Sequence, residues 1–147
     1  GTPGDGQSHA IYVGACAELY VTNAELADTS IGHLIKSRAA KNVITGCRLI
    51  EGRASRAIDI CNGGVLEIAN TYIKQTQATD NPEVIGYGAE CMMNASGVRV
   101  PTYPINTVDI AADVYCLDER IPAGTFFRAF ITPTSFNNLG TYAIGRP

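Results

Sequence analysis

The segment Ala40-Lys-Asn-Val-Ile-Thr-Gly-Cys-Arg-Leu49 has a counterpart on each side of it, at a period of 23 to 24 residues. The counterparts are Ala17-Glu-Leu-Tyr-Val-Thr-Asn-Ala-Glu-Leu26 and Gly64-Val-Leu-Glu-Ile-Ala-Asn-Thr-Tyr-Ile73. When the three segments are aligned, aliphatic residues share two columns, which contain Val21, Ile44 and Ile68, and Leu26, Leu49 and Ile73. Each unit is too small to bury its apolar residues alone, so neighbouring units must stack. The repeat therefore predicts a β-solenoid.

Short segments of alternating polarity, rich in β-branched residues, predict strands within each unit. A further strand recurs upstream of each unit, at Ile11–Val13, Ile35–Ser37 and Ile58–Ile60. Between the two aliphatic columns, a turn-like column contains Asn23, Gly46 and Asn70. A helix over Asn23–Ile35 is the alternative, because this segment holds good helix formers. The helix does not explain why the same columns recur at fixed spacing.

Composition limits the classes of protein to which the chain belongs. Its 147 residues are 46% hydrophobic and 17% charged, which fits one folded domain and excludes extensive disorder. The net charge of −3 gives no reason to expect a nucleic-acid partner. No apolar run approaches the roughly 20 residues that a membrane-spanning helix needs, so no membrane partner is expected either.

Three regions are expected along the chain. Residues 1–8 have the composition of a linker or a cut site, and residues 9–90 hold three coils and the start of a fourth. After residue 90 the repeat is lost, and residues 91–147 are interpreted as a β-rich cap or an oligomerisation segment. Four aromatic residues of that segment are the candidate interface with other subunits, namely Phe126, Phe127, Phe130 and Phe136.

Five cysteines are present and none forms a CxxC pair, so neither a metal site nor a cofactor is expected. Cys47 shares a column with Ala24 and Thr71, which predicts a small buried thiol. An odd number of cysteines means that at least one thiol is free or pairs with another chain. Cys91 and Cys116 are the candidates for an intermolecular disulfide.

A strip of charged residues is expected on the outer face of the first strand of each coil. One outward row contains Tyr12, Lys36, Asp59 and Gly86. Arg38 lies two residues after Lys36 and therefore on the same face. His33, Arg56 and Glu83 stand just before the strand in successive coils. Because stacked strands lie about 4.8 Å apart, these side chains form one continuous strip. The strip is either a solvated surface with cross-coil pairs such as Lys36–Asp59 and Arg56–Glu83, or a ligand-binding face.

The coil segments resemble those of right-handed parallel β-helix proteins of the pectate-lyase-like superfamily. The resemblance lies in Gly32-His-Leu-Ile-Lys-Ser-Arg-Ala39, Ala57-Ile-Asp-Ile-Cys-Asn-Gly-Gly64 and Ile85-Gly-Tyr-Gly-Ala-Glu90. It implies an all-β fold of about four coils, with three parallel sheets wound right-handedly. That superfamily contains polysaccharide lyases, hydrolases and epimerases, and also phage tailspikes and non-catalytic coils. This chain has few coils and no evident N-terminal cap, which predicts stacking on another segment or subunit.

Two functions follow from this resemblance. The first is a non-catalytic structural or binding module of a virion or an extracellular protein, assembled with other chains as a trimer or another oligomer. The second is a carbohydrate-active enzyme that acts on an acidic polysaccharide, with Lys36, Arg38 and Asp59 as candidate catalytic residues. In both cases the candidate ligand-binding residues are Tyr12, His33, Lys36, Arg38, Arg56, Asp59 and Tyr87. Tyr12 or Tyr87 would provide the platform on which a sugar ring stacks.

Overall fold

A computed structural model describes the chain over eight ranges of residues. These are 8–53, 55–80, 84–88, 95–97, 102–105, 107–120, 127–130 and 141–144. Strands and turns make up this part of the chain, in which no helix occurs. It therefore holds no helix long and apolar enough to cross a membrane.

Each turn of the solenoid contributes three strands. The first turn has β1 (Ile11–Val13), β2 (Glu18–Thr22) and β3 (Glu25–Ala27). The second and third turns have β4 (Ile35–Ser37), β5 (Lys41–Thr45), β6 (Arg48–Glu51), β7 (Ile58–Ile60), β8 (Val65–Ala69) and β9 (Tyr72–Gln75). They are followed by β10 (Ile85–Tyr87), β11 (Thr107–Ile110), β12 (Tyr115–Asp118), β13 (Phe127–Phe130) and β14 (Thr141–Ile144). Because β3 lies in the segment for which a helix was the alternative, the helix is wrong.

Twelve of these strands form three parallel sheets of four strands each. The orders are β1-β4-β7-β10 in sheet 1, β2-β5-β8-β11 in sheet 2 and β3-β6-β9-β12 in sheet 3. The pairing register is the one that the repeat predicted, with Val21 opposite Ile44 and Ile44 opposite Ile68. In sheet 3, Leu26 lies opposite Leu49 in the same way. The all-β parallel solenoid predicted from the sequence is therefore confirmed.

Inward-facing aliphatic side chains from the three sheets form one core. Ile35, Ile44, Leu49 and Ile58 are fully buried, and so are Ile73 and Ile85 in the following turns. Burying one such side chain contributes roughly 1.5–3 kcal/mol. The Cys47 thiol is also buried, as its column predicted.

The corner between sheets 2 and 3 repeats one left-handed residue in each turn. Asn23, Gly46 and Asn70 have φ angles of 52°, 66° and 43°. Asparagine and glycine tolerate this conformation better than other residues. The corner is tight, because a Cβ added to Gly46 would collide with the Asn23 side chain. The column that the sequence marked as turn-like is thus a tightly packed corner that repeats along the solenoid.

The solenoid continues beyond residue 90, where the sequence placed its end. β11 pairs in parallel with β8, and β12 pairs in parallel with β9. The sequence indicated a strand over residues 108–115 but not its place in the solenoid, because residues 88–106 separate it from β10 and interrupt the repeat period. β13 and β14 are antiparallel to each other and stand outside the three sheets. Residues 1–7 lie outside the described residues, so the linker interpretation stays a prediction.

Candidate functional site

The strip predicted on the first strands lies in one row of sheet 1. Tyr12 is opposite Lys36, Lys36 is opposite Asp59, and Asp59 is opposite Gly86. Along each strand, these residues alternate with residues that face inward, so all four lie on the outer face of the sheet. The backbone therefore brings side chains from separate turns close together.

Asp59 lies at the centre of a cluster of charged side chains. Its Oδ2 atom lies 3.3 Å from Nε2 of His33 and 3.5 Å from Nζ of Lys36. Its Oδ1 atom lies 3.5 Å from Nη1 of Arg56. The Cys61 thiol also contacts the carboxylate, with Sγ 3.5 Å from Oδ2. Among the described residues, Asp59 supplies the one carboxylate of this cluster.

The cluster is buried, which the sequence did not predict. The Asp59 side chain has no exposed surface, and those of Lys36 and Arg56 are only 13% and 14% exposed. The expectation of a solvated strip is therefore wrong at these positions. The predicted pair of Lys36 with Asp59 is present. Glu83, the expected partner of Arg56, lies outside the described residues.

Gly86 provides the space that the cluster needs. It lies opposite Asp59, in the next turn. A Cβ at this position would collide with Nη1 of Arg56 and would lie 2.7 Å from Oδ1 of Asp59. Because Gly86 has no side chain, the Arg56 guanidinium passes across the row and reaches the carboxylate.

His33 is neutral at pH 7 and has a defined orientation. Burial lowers its pKa from 6.5 to about 4, although the Asp59 charge acts in the opposite direction. Nε2 of the ring lies 3.3 Å from Oδ2 of Asp59, which accepts, so the ring proton belongs on Nε2. Nδ1 lies 3.3 Å from both the backbone nitrogen and the carbonyl oxygen of Arg56, and in this tautomer it accepts the backbone N–H. His33 acts as a hydrogen-bond donor to Asp59 and carries no charge.

A second histidine repeats this arrangement one turn earlier. The backbone N–H of His33 donates to Nδ1 of His9 over 2.9 Å. The two imidazole rings are stacked, with centroids 5.2 Å apart and planes 5° apart. In both turns, an imidazole accepts a backbone N–H from the turn that follows. This column of side chains thus joins consecutive turns just before sheet 1 begins.

Arg38 connects three turns beside the cluster. Its Nε donates to the Tyr12 hydroxyl over 3.2 Å, and its Nη1 donates to Oδ1 of Asn62 over 3.1 Å. The Tyr12 side chain is 56% exposed. Of the residues proposed for ligand binding, Tyr12 is therefore the one with a largely exposed ring.

Tyr87 is not part of this face. It lies opposite Ile60 and points into the core, where it is fully buried. Its hydroxyl donates to the Gly64 carbonyl oxygen. The expectation that Tyr87 is a stacking platform is therefore wrong. Alternation along β10 explains the error, because Gly86 shares the outward row with Tyr12 and the next residue must face inward.

The structure also limits the predicted interface. Cys116 faces inward beside Ile73 and is fully buried, so its thiol is inaccessible to another chain in the folded protein. Cys91, Phe126 and Phe136 lie outside the described residues, and their roles stay predictions. Phe127 and Phe130 begin and end β13, so their backbone belongs to the antiparallel pair.

A groove that the sequence did not reveal follows the corner between sheets 2 and 3. Its volume is about 510 Å³. Its lining includes the three left-handed residues and the long side chains of Arg48, Tyr72 and Tyr115. The Arg48 guanidinium stacks on the Tyr72 ring, 5.2 Å from its centroid. The signal for this lining was the column two positions after the turn residues, where the long side chains of Glu25, Arg48 and Tyr72 recur.

Comparisons of the chain with protein-family models, with curated proteins and with solved structures find no match. The class of the protein therefore rests on its own architecture. Three parallel sheets wound around one core define a parallel β-solenoid with three complete turns and the strands of a fourth. Its most distinctive local feature is the buried Asp59 cluster on the outer face of sheet 1.

Proposed function

We propose that this protein is a structural and binding module, a β-solenoid that associates with another protein chain and has no catalysis of its own. The observation that carries the proposal is the open edge of the first turn, with which no strand among the described residues pairs. β1, β2 and β3 are each the end strand of a sheet. Soluble proteins normally cover or blunt such edges, because unpaired strands take up other chains.

Burial in the first turn supports the same proposal. Ile11 and Leu26 are only partly buried, whereas their counterparts Ile35 and Leu49 in the second turn are fully buried. Each turn of a solenoid buries its apolar residues against its neighbours. A partner stacked on the first turn would bury the rest of this apolar surface.

The buried cluster favours a structural role for sheet 1. A general acid or base must come within hydrogen-bond reach of its substrate. Asp59 is fully buried, and it is in contact with His33, Lys36 and Arg56. These groups join the second turn to the third, in the way that buried ion clusters fix one arrangement of packed elements.

The superfamily of the protein and its location are part of the same proposal. Membership of the right-handed parallel β-helix proteins of the pectate-lyase-like superfamily rests on the likeness of the coil segments. A place in a virion or an extracellular protein rests on that likeness as well. The parallel sheets and their 23- to 24-residue period are compatible with it.

A carbohydrate-active enzyme is the second candidate function. The exposed ring of Tyr12 favours it, because the Tyr12 hydroxyl contacts Arg38 and the ring offers a surface for a sugar. Glycoside hydrolysis normally needs two carboxylates that flank the bond. The described residues of the cluster supply one carboxylate, and it is buried, so this candidate is the weaker one.

Two measurements on the purified chain test the proposal. Its mass in solution, determined over a range of concentrations with and without reductant, reports any assembly with itself. Incubation with a panel of acidic polysaccharides, followed by analysis of the products, reports catalysis. Turnover by the wild type that disappears in both Lys36→Ala and Arg38→Ala would overturn the proposal. We expect no turnover from any of the three proteins.

A further inference from the structure

The first turn presents backbone hydrogen-bonding groups on its free edge. The Lys41 N–H donates to the Ala17 carbonyl, and the Asn23 N–H donates to the Thr45 carbonyl. In a parallel ladder, alternate residues bond to the same neighbour. The backbone N–H and C=O groups of the odd-numbered residues of β2 therefore point towards β5. The backbone N–H groups of Glu18, Tyr20 and Thr22 point away from it.

The same analysis applies to β3. The Arg48 N–H donates to the Ala24 carbonyl, and the Asp28 N–H donates to the Ile50 carbonyl. The backbone groups of Glu25 and Ala27 therefore face the free edge. Both strands thus present free backbone donors and acceptors on one side of the solenoid, apart from the Glu18 carbonyl, which the Cys16 thiol contacts.

Charge distinguishes the first turn from the second. Residues 9–32 contain Glu18, Glu25 and Asp28 and no lysine or arginine, a net charge of −3. All three carboxylate residues are exposed. Residues 33–55 contain five lysines and arginines and one glutamate, a net charge of +4. In the register of the sheets, Glu18 lies opposite Lys41 and Glu25 lies opposite Arg48.

From these observations we propose that the free edge of β2 and β3 binds a β-strand segment of another protein, with basic residues beside Glu18 and Glu25. Strand addition supplies the backbone hydrogen bonds, and the carboxylates select the partner by its charge. The inference rests on the proposed function, because it names the partner chemistry at the open edge. The partner resembles the second turn in its pattern of charge.

The first turn of a second copy does not fit this edge. Two first turns stacked on each other would bring Glu18, Glu25 and Asp28 of both copies into one interface. Like charges placed together across an interface weaken binding and suppress the wrong partner. The edge therefore disfavours a second first turn and favours a basic strand.

A peptide of residues 34–51 with Cys47→Ser is the probe. The peptide has the basic residues and the strand register of the second turn. In the folded protein, the second turn pairs with the first turn along the edge opposite the free one. Binding of the fluorescently labelled peptide to the full chain is followed by anisotropy. We expect saturable binding that weakens as salt is added. Glu18→Lys combined with Glu25→Lys weakens it by about tenfold or more.

Charge exchange provides the decisive control. A peptide that also carries Lys41→Glu and Arg48→Glu should lose binding to the wild type and regain it with the lysine variant of the protein. Absence of saturable binding at peptide concentrations up to about 1 mM would overturn the inference. So would equal binding of both peptides to the wild-type chain. Glu18→Gln with Glu25→Gln is the milder pair if the lysine variant does not fold.

Variants of Tyr20 test the backbone contribution. Tyr20→Pro removes an N–H on the free side of β2, where proline is tolerated in an edge strand. Tyr20→Ala removes the exposed ring and keeps the N–H. We expect the proline variant to lose peptide binding and the alanine variant to keep most of it. If the two variants bind equally well, strand addition is wrong.

Polysaccharide turnover would overturn the proposed function and leave the peptide result unaffected.

Discussion

Nε2 of His33 lies 3.3 Å from Oδ2 of Asp59, although the two residues belong to different turns. Both side chains are buried, and the carboxylate is fully enclosed. The contact joins the start of the second turn to the first strand of the third. The cluster around Asp59 is therefore a connection between turns, and its removal should be measurable as a loss of stability.

Replacing Asp59 should destabilise the fold strongly. Asp59→Ala removes the carboxylate that Lys36 and Arg56 contact in a buried environment. Breaking a buried ion pair by removing one partner costs about 3–5 kcal/mol. The free energy of unfolding in urea measures this loss. Glu25→Ala is the control, because its 4.0 Å pair with Arg48 is exposed and is expected to contribute at most about 0.5 kcal/mol. Similar losses in the two variants would contradict this assignment.

The stability of the fold should decrease between pH 6.5 and pH 4. The pKa of His33 is about 4 in the folded protein and 6.5 in the unfolded chain. As the pH falls through this window, the unfolded chain binds a proton and the folded protein does not, so folding loses stability. A difference of about 2.5 pKa units corresponds to about 3 kcal/mol.

Urea unfolding of wild type and His33→Gln at several pH values isolates this contribution. The difference in stability between the two proteins should change across the window from pH 6.5 to 4. It should be constant above about pH 7.5, where the imidazole is neutral in both states. A constant difference at every pH would show that His33 does not titrate in this way.

Gly46→Ala should be costly, whereas Gly14→Ala should not. Gly46 has φ of 66°, and an added Cβ would collide with the Asn23 side chain. We expect a loss of at least about 1–2 kcal/mol from the left-handed conformation alone. A Cβ at Gly14 meets no atom within 4 Å. There alanine should be neutral or slightly stabilising, by up to about 1 kcal/mol. Thermal unfolding of both variants checks the contrast.

Tyr87→Phe should destabilise the protein, because it removes the buried hydroxyl that donates to the Gly64 carbonyl. A loss of about 1–3 kcal/mol is expected, since a buried acceptor then loses its partner. Tyr20→Phe is the matched control at a side chain that is 55% exposed, and we expect no measurable change. If Tyr87→Phe were as stable as the wild type, a stabilising hydrogen bond from the Tyr87 hydroxyl to Gly64 would be contradicted.

The strand register was predictable because each turn repeats the same spacing. Val21, Ile44 and Ile68 are in one column of the sequence and in one row of sheet 2. The cost of burying polar groups favours one register, since a shift by one residue exchanges the two faces of a strand. Where an insertion interrupts the period, before β11, the sequence no longer reveals which sheet the strand joins.

The environment of Asp59 was not predictable from the same pattern. Alternation placed Asp59 on the outer face, but whether an outward side chain is covered depends on its neighbours. Arg56 reaches the carboxylate only because Gly86, 27 positions beyond Asp59, leaves the space open. Such a contact depends on two turns at once, so no local feature of the sequence indicates it.

The histidine column has a consequence for how the protein folds. The imidazole of His9 accepts the backbone N–H of His33, and the imidazole of His33 accepts that of Arg56. The first and second turns therefore each offer the next one an acceptor at the point where its first strand begins. A solenoid that grows from the first turn towards the third would add each new turn onto an acceptor that is already in place.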